Sequence, residues 1–252
     1  MPSKEYTTTE LKSLLGILSI IIIWSAINDH AVKWLVQSMW VLVGVPILLL
    51  SFSRFKFTPL TYRLIFIHAC ILLVGAHYTY QLTPPGLWVK DFFELERNHF
   101  DRLGHLAQGF VPAMIVREIL IRRSPLIAGK WLFFIVLCVC MAISVWYEFL
   151  EWIAALAGPQ HITVEAQKLL SLAQQAPNAI EAAKINGQAQ QLIAEATKAK
   201  YLAQQGDVWD TQWDMFMAMV GSLSSQFLFA RVQDRQLTRY ALHPKSNLQQ
   251  AG

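Results

Sequence analysis

Residues 97–110, Arg97 to Phe110, read RNHFDRLGHLAQGF. The run opens an apolar segment of membrane-spanning length. It nevertheless sets Asp101 and His105 four residues apart, on one face of a helix. Two later polar clusters stand at the ends of apolar segments in the same way: YEFLEW at Tyr147–Trp152 and GDVWD at Gly206–Asp210. The expectation is an all-α membrane protein in which these three clusters meet.

The composition agrees with a membrane. Of 252 residues 54% are hydrophobic and 15% charged, against about 25% charged in soluble domains. The lipid bilayer is the implied partner, and the net charge of +4 needs no nucleic acid, because lysines and arginines beside spans orient the chain. Cys70, Cys138 and Cys140 fall in apolar segments and suggest neither a disulfide framework nor a zinc site. The N-terminal apolar run continues to Trp24 without a small-x-small cleavage site, so it reads as an uncleaved first span.

Six segments reach the 17–25 residues or so that a bilayer core requires: Leu11–Asn28, Trp34–Phe52 with Pro46 inside it, Leu64–Gln81, Asp101–Leu120, Trp131–Leu156 and Asp207–Ala230. The fourth is the least apolar. Basic residues gather in alternate connections: Arg54, Lys56 and Arg63; then Arg117, Arg122, Arg123 and Lys130; then Arg231, Arg235, Arg239 and Lys245. The positive-inside rule puts these connections and both termini in the cytoplasm. Pro84–Pro85–Gly86 marks a turn before an aromatic-acidic run suited to the interface. Between the fifth and sixth spans, the Ala/Gln-rich insert repeats apolar residues near helical spacing at Ile185, Ala189, Leu192, Ile193, Ala196 and Leu202. Asn178 and Glu181 resemble a capping box; Gly187 interrupts the pattern, and a mobile coil is the competing reading. The organisation is therefore five spans over 1–157, an external helical insert over 158–206, and a sixth span with a cytoplasmic tail over 207–252.

This topology puts all three polar clusters on the external face. At about 1.5 Å rise per residue, His105 lies about 10 Å below Asn98, Glu148 about 12 Å below Leu156 and Asp214 about 10 Å below Asp207. Glu148 and Glu151, and Asp207, Asp210 and Asp214, each repeat on one helix face, with Trp209 and Trp213 beside the latter. An ionisable residue at the centre of a membrane helix costs about 2.5–3.5 kcal/mol and usually faces the bundle interior. Protonation, an arginine or a metal relieves that cost. Asp101, His105, Glu148, Asp210 and Asp214 form an oxygen-rich donor set with one imidazole, which suits Mg, Mn or Zn. Glu148, His105 and Asp214 also have the chemistry of general acids or bases, and Arg102 that of an anchor for a substrate's phosphate or carboxylate.

Structural readings compete. Asp207 follows Gly206 and reads equally as a helix N-cap, Asp210 as a partner of the helix dipole, and Arg97 as an ion-pair partner of Asp101 four residues on. Glu151 reads as shallow enough to stay hydrated, and Arg102 as snorkelling to the headgroups. His68 reads as a hydrogen-bonded bundle histidine; His77, beside Tyr78 and Tyr80, as a site residue or part of an aromatic belt; His99 as an alternate ligand. Arg117 and Glu118 read as an orienting pair at the inner end of the fourth span. No phosphate loop, GxSxG elbow, dinucleotide fingerprint or HExxH is present.

NHFDRLGHLAQGF, YEFLEW and GDVWDTQWDMFMAMVG, in that order, resemble the YjdF family of bacterial inner-membrane proteins. The resemblance covers nearly the whole apolar chain. It implies a polytopic inner-membrane protein and brings no activity with it; the insert looks larger than the family needs. A looser likeness is to VanZ-like membrane proteins, associated with glycopeptide resistance, which place Asp and His on one helix, Glu on the next and Asp on a third. Asp101, His105, Glu148 and Asp214 match that order, an analogy of architecture alone.

Three functions fit: an enzyme with an outward-facing acid/His site, with a divalent cation, on a lipid-linked or cell-envelope substrate; a cation- or proton-coupled carrier; or a structural or accessory membrane protein. The apolar inner stretches Val111–Val116, Phe133–Val145 and Met215–Val220 favour a one-sided site over transport, as does the absence of an evident inverted repeat.

Overall fold

The computed structural model of the chain describes residues 4–157, 159–200 and 209–241. Within them the chain is all-α. The helices are α1 (Lys4–Ser25), α2 (Ala31–Ser51), α3 (Pro59–His77), α4 (Pro84–Phe92), α5 (Phe100–Arg123), α6 (Lys130–Ala157), α7 (Pro159–Gln174), α8 (Ala179–Lys200) and α9 (Asp210–Ala241). By length and composition α2, α3, α6 over Lys130–Ile153 and α9 over Asp210–Thr238 are able to cross a membrane. Gly206, Asp207 and Leu202 lie outside the described residues.

The chain divides into two compact units, residues 1–142 with 216–252 and residues 143–215. The boundaries fall inside the continuous helices α6 and α9.

In the first unit α3 is central and packs on α1, α2 and α5. Leu18, Val41, Ala69 and Leu73 join it to α1 and α2, while Leu60, Leu64, Val111 and Met114 join it to α5, with Phe229 of α9 against them. Ala113 of α5 meets Leu132, Val136 and Cys140 of α6. The start of α3 is a local signal: Thr58 caps it by accepting the Thr61 N–H, and Pro59 occupies the first turn, where its missing N–H costs nothing. The helix therefore begins five residues before Leu64, the start expected from hydropathy. It ends with Thr79 and Tyr80 at φ 59° and 57°, and the Tyr80 N–H returns to the Gly75 carbonyl at 2.7 Å. The Tyr80 ring lies so close over Gly75 that a Cβ there would overlap it. The proline–glycine turn expected at 84–86 is instead the first turn of α4.

The second unit holds α7 and α8, which pack on each other. The buried alanines Ala166, Ala173 and Ala189 allow that approach. The Glu181 N–H donates to Asn178 Oδ1 at 2.8 Å, so the insert carries the helix cap its sequence suggested. Gly187 sits inside α8 with no atom near the space a Cβ would fill.

Candidate functional site

In the first unit, Asn98 sets the start of α5. Its Oδ1 accepts the Phe100 N–H at 2.9 Å, and its Nδ2 donates to the carbonyls of Gln81 and Thr83 and to Thr83 Oγ1. A Cβ at Gly86 would overlap the Asn98 amide, so glycine there is a condition of the arrangement. Asn98 thus ties α5 to the turn after α3, and Tyr80 reaches Gly104 at 3.4 Å from the position of its absent Cβ. One turn into the helix, His105 Nε2 lies 3.9 Å from Asp101 Oδ1. That is ion-pair distance, beyond a direct hydrogen bond. His105 is 3% exposed and Asp101 half-buried. Together they offer an imidazole and a carboxylate from one helix face, enough for two metal ligands or a proton relay.

In the second unit the remaining acids are buried too. On α6, Ser144 and Glu148 are buried and Glu151 half-buried, while Trp146, Phe149, Trp152 and Ile153 are exposed. The helix therefore turns its acidic face inward and its aromatic face outward. On α9, Asp210 and Asp214 are buried one turn apart, with Asp214 2% exposed, while Trp209 and Trp213 are exposed. Two carboxylates on one buried face are chemically a pair of oxygen ligands or a general acid–base pair.

Back in the first unit, α5 and α9 approach at glycines. A Cβ on Gly109 would overlap the Ala218 carbonyl, and one on Gly221 the Leu106 carbonyl. Further along, Gln233 Nε2 donates to the Met114 carbonyl at 2.8 Å, Arg117 donates to Gln233 Oε1 at 2.9 Å, and Arg117 pairs with Asp234 at 2.8 Å. These contacts advance in the same direction along both helices, so α5 and α9 run parallel.

Glu118 is fully buried and surrounded by donors. The Thr58 N–H and hydroxyl donate at 2.8 Å, the Thr61 hydroxyl at 2.7 Å and Arg122 at 2.9 Å. Arg117 and Glu118, read as one orienting pair, turn to separate partners. This knot escaped the sequence reading because Thr58 and Gln233 are remote in the chain from α5. One signal was available: Ser222, Ser225, Gln226 and Gln233 repeat at helical spacing and are all buried.

The secondary candidates separate. His77 Nδ1 contacts the Ser25 carbonyl at 3.2 Å and its ring stacks on Trp24 at 4.2 Å, so it serves the α1–α3 contact. His68 Nε2 is buried without a partner among the described residues, where a hydrogen-bonded histidine was expected. His99 occupies the N-cap position of α5 without a side-chain capping bond. Arg102 is half-buried.

With this geometry established, comparison with known proteins is direct. A family model described as "Predicted membrane protein (DUF2238)" matches residues 11–170 and 188–235. The inner membrane protein YjdF of Escherichia coli (strain K12) is 38% identical over 226 residues, covering 89% of this chain and 91% of the relative. No solved structure matches significantly.

Proposed function

The chain belongs to the DUF2238 family of predicted membrane proteins, and from that premise we propose a bacterial inner-membrane enzyme with an outward-facing site for a divalent cation. In this reading α1 and α5 join the four apolar helices as spans, both termini are cytoplasmic, and the α7–α8 hairpin lies outside. Asp101, His105, Glu148, Asp210 and Asp214 supply the ligands for Mg, Mn or Zn. A carboxylate or imidazole not engaged by the cation, from among Glu148, His105 and Asp214, moves the proton. Arg102 anchors the anionic group of a lipid-linked or cell-envelope substrate.

The observation that carries this reading is burial. Four ionisable residues expected at the outer ends of their helices, His105, Glu148, Asp210 and Asp214, are all withdrawn from the surface, where desolvation is costly unless a cation compensates. The α5–α9 approach supports the pairing of helices. Within the first unit the two helices meet at Gly109 and Ala218. The cation would polarise a substrate oxygen or activate water.

Metal analysis of the purified, detergent-solubilised protein tests this. About one divalent ion per chain, lost in Glu148→Gln and Asp214→Asn variants that still fold, is the expected result. Metal-free protein, or unchanged content in both variants, rejects the cation. If His105→Ala and Asp214→Asn also leave folding and cellular phenotype unchanged, the cluster is structural.

A proton- or cation-coupled carrier is the second reading. It is favoured by the buried polar stripe on α9, Ser222, Ser225, Gln226 and Gln233, where Gln226 Nε2 has no partner among the described residues. Uptake by proteoliposomes that depends on a cation gradient distinguishes it.

A further inference from the structure

A cavity of about 480 Å³ opens in the first unit where the end of α5, the start of α6 and the later half of α9 converge. It shares no residue with the proposed cation site. One edge is polar. Arg117 lines it, held by Gln233 and Asp234, and Lys130 stands exposed at the first position of α6. The first-turn N–H groups of that helix have no intrahelical acceptor and carry the positive end of its dipole.

The independent sign of a ligand is Gln226. It lines the cavity and is 3% exposed, yet its amide nitrogen has no partner among the described residues. A buried donor left unpaired costs about 1–3 kcal/mol, so this one calls for an acceptor oxygen from outside the chain. The lining is also apolar, with Leu132, Phe133 and Phe227, the last 74% exposed. In a membrane protein an exposed phenylalanine on such a wall meets acyl chains.

The occupant must therefore join a negatively charged, oxygen-rich group to a hydrocarbon tail. Arg117 and Lys130 against Asp234 leave one net positive charge, which matches a singly charged phosphodiester. We propose that this groove holds an anionic phospholipid, its phosphate between Lys130 and the Gln226 amide and its acyl chain along Leu132, Phe133 and Phe227. Glycerol 3-phosphate or inorganic phosphate would leave the apolar wall unfilled.

Native mass spectrometry of the delipidated full-length protein, titrated with phosphatidylglycerol and with phosphatidylcholine of the same chains, tests the assignment. One phosphatidylglycerol retained in preference to phosphatidylcholine is expected. Lys130→Gln, at an exposed position, should reduce that preference about fivefold, the worth of one lysine at an anionic surface. Gln226→Leu should weaken retention of phosphatidylglycerol, and Lys168→Gln on α7 should change nothing. Equal retention of the two lipids overturns the proposal, as does an unaltered preference in Lys130→Gln. Competition by glycerol 3-phosphate as strong as by the lipid also overturns it.

Discussion

Glu118 and Asp214 are both buried carboxylates. Glu118 accepts from two threonines and Arg122, a set that satisfies a carboxylate permanently. Glu118→Ala leaves those donors stranded, and thermal unfolding in detergent should record a loss of about 3 kcal/mol. Asp214 belongs to the acids proposed to hold a cation, so its neutralisation should show in the response to metal. Added divalent metal at about a hundred times its dissociation constant should stabilise the wild type by about 2.7 kcal/mol and leave Asp214→Asn unmoved. Sequence spacing proposed Asp101, His105, Glu148, Asp210 and Asp214 because each marks a polar break in an apolar helix face, and all but Asp101 are buried. Asn98 and Glu118 were not legible as structural anchors, since their partners lie far away in the chain.

At the scale of helices, the close approach of α5 and α9 rests on two glycines. Gly109→Ala and Gly221→Ala each press a methyl into the neighbouring helix backbone, and each should cost about 1–3 kcal/mol of stability. Gly44→Ala, inside α2 where nothing lies near the added methyl, should instead hold stability or raise it by up to about 1 kcal/mol. Gly187→Ala in α8 should stabilise the hairpin by up to about 1 kcal/mol, the helix-propensity difference, read as increased helicity and melting temperature. The helices themselves were legible because apolar length and helical spacing are local properties. The extension of α9 to Ala241 was not, because Gln233, Asp234 and Arg235 look like a solvated tail until Arg117 supplies a partner for Asp234. The early start of α3 was encoded in Thr58–Pro59, a cap that hydropathy does not weigh.

At the scale of the whole molecule, the family assignment confirms what three ordered motifs suggested, and the proposed topology awaits its own test. Cysteines introduced at the exposed positions Ser171 on α7 and Ser53 between α2 and α3 should behave oppositely in intact cells. A membrane-impermeant maleimide should label Ser171→Cys and spare Ser53→Cys; the reverse pattern would turn the protein over. The central proposal, that His105 and Asp214 belong to one site, has a more direct test. A His105→Cys/Asp214→Cys double variant, with Cys70, Cys138 and Cys140 replaced by alanine, should form an intrachain disulfide under mild oxidation in the membrane. A pairing of His105→Cys with Trp213→Cys, on the exposed stripe of α9, should not. Efficient cross-linking of the second pair and none of the first would contradict the account.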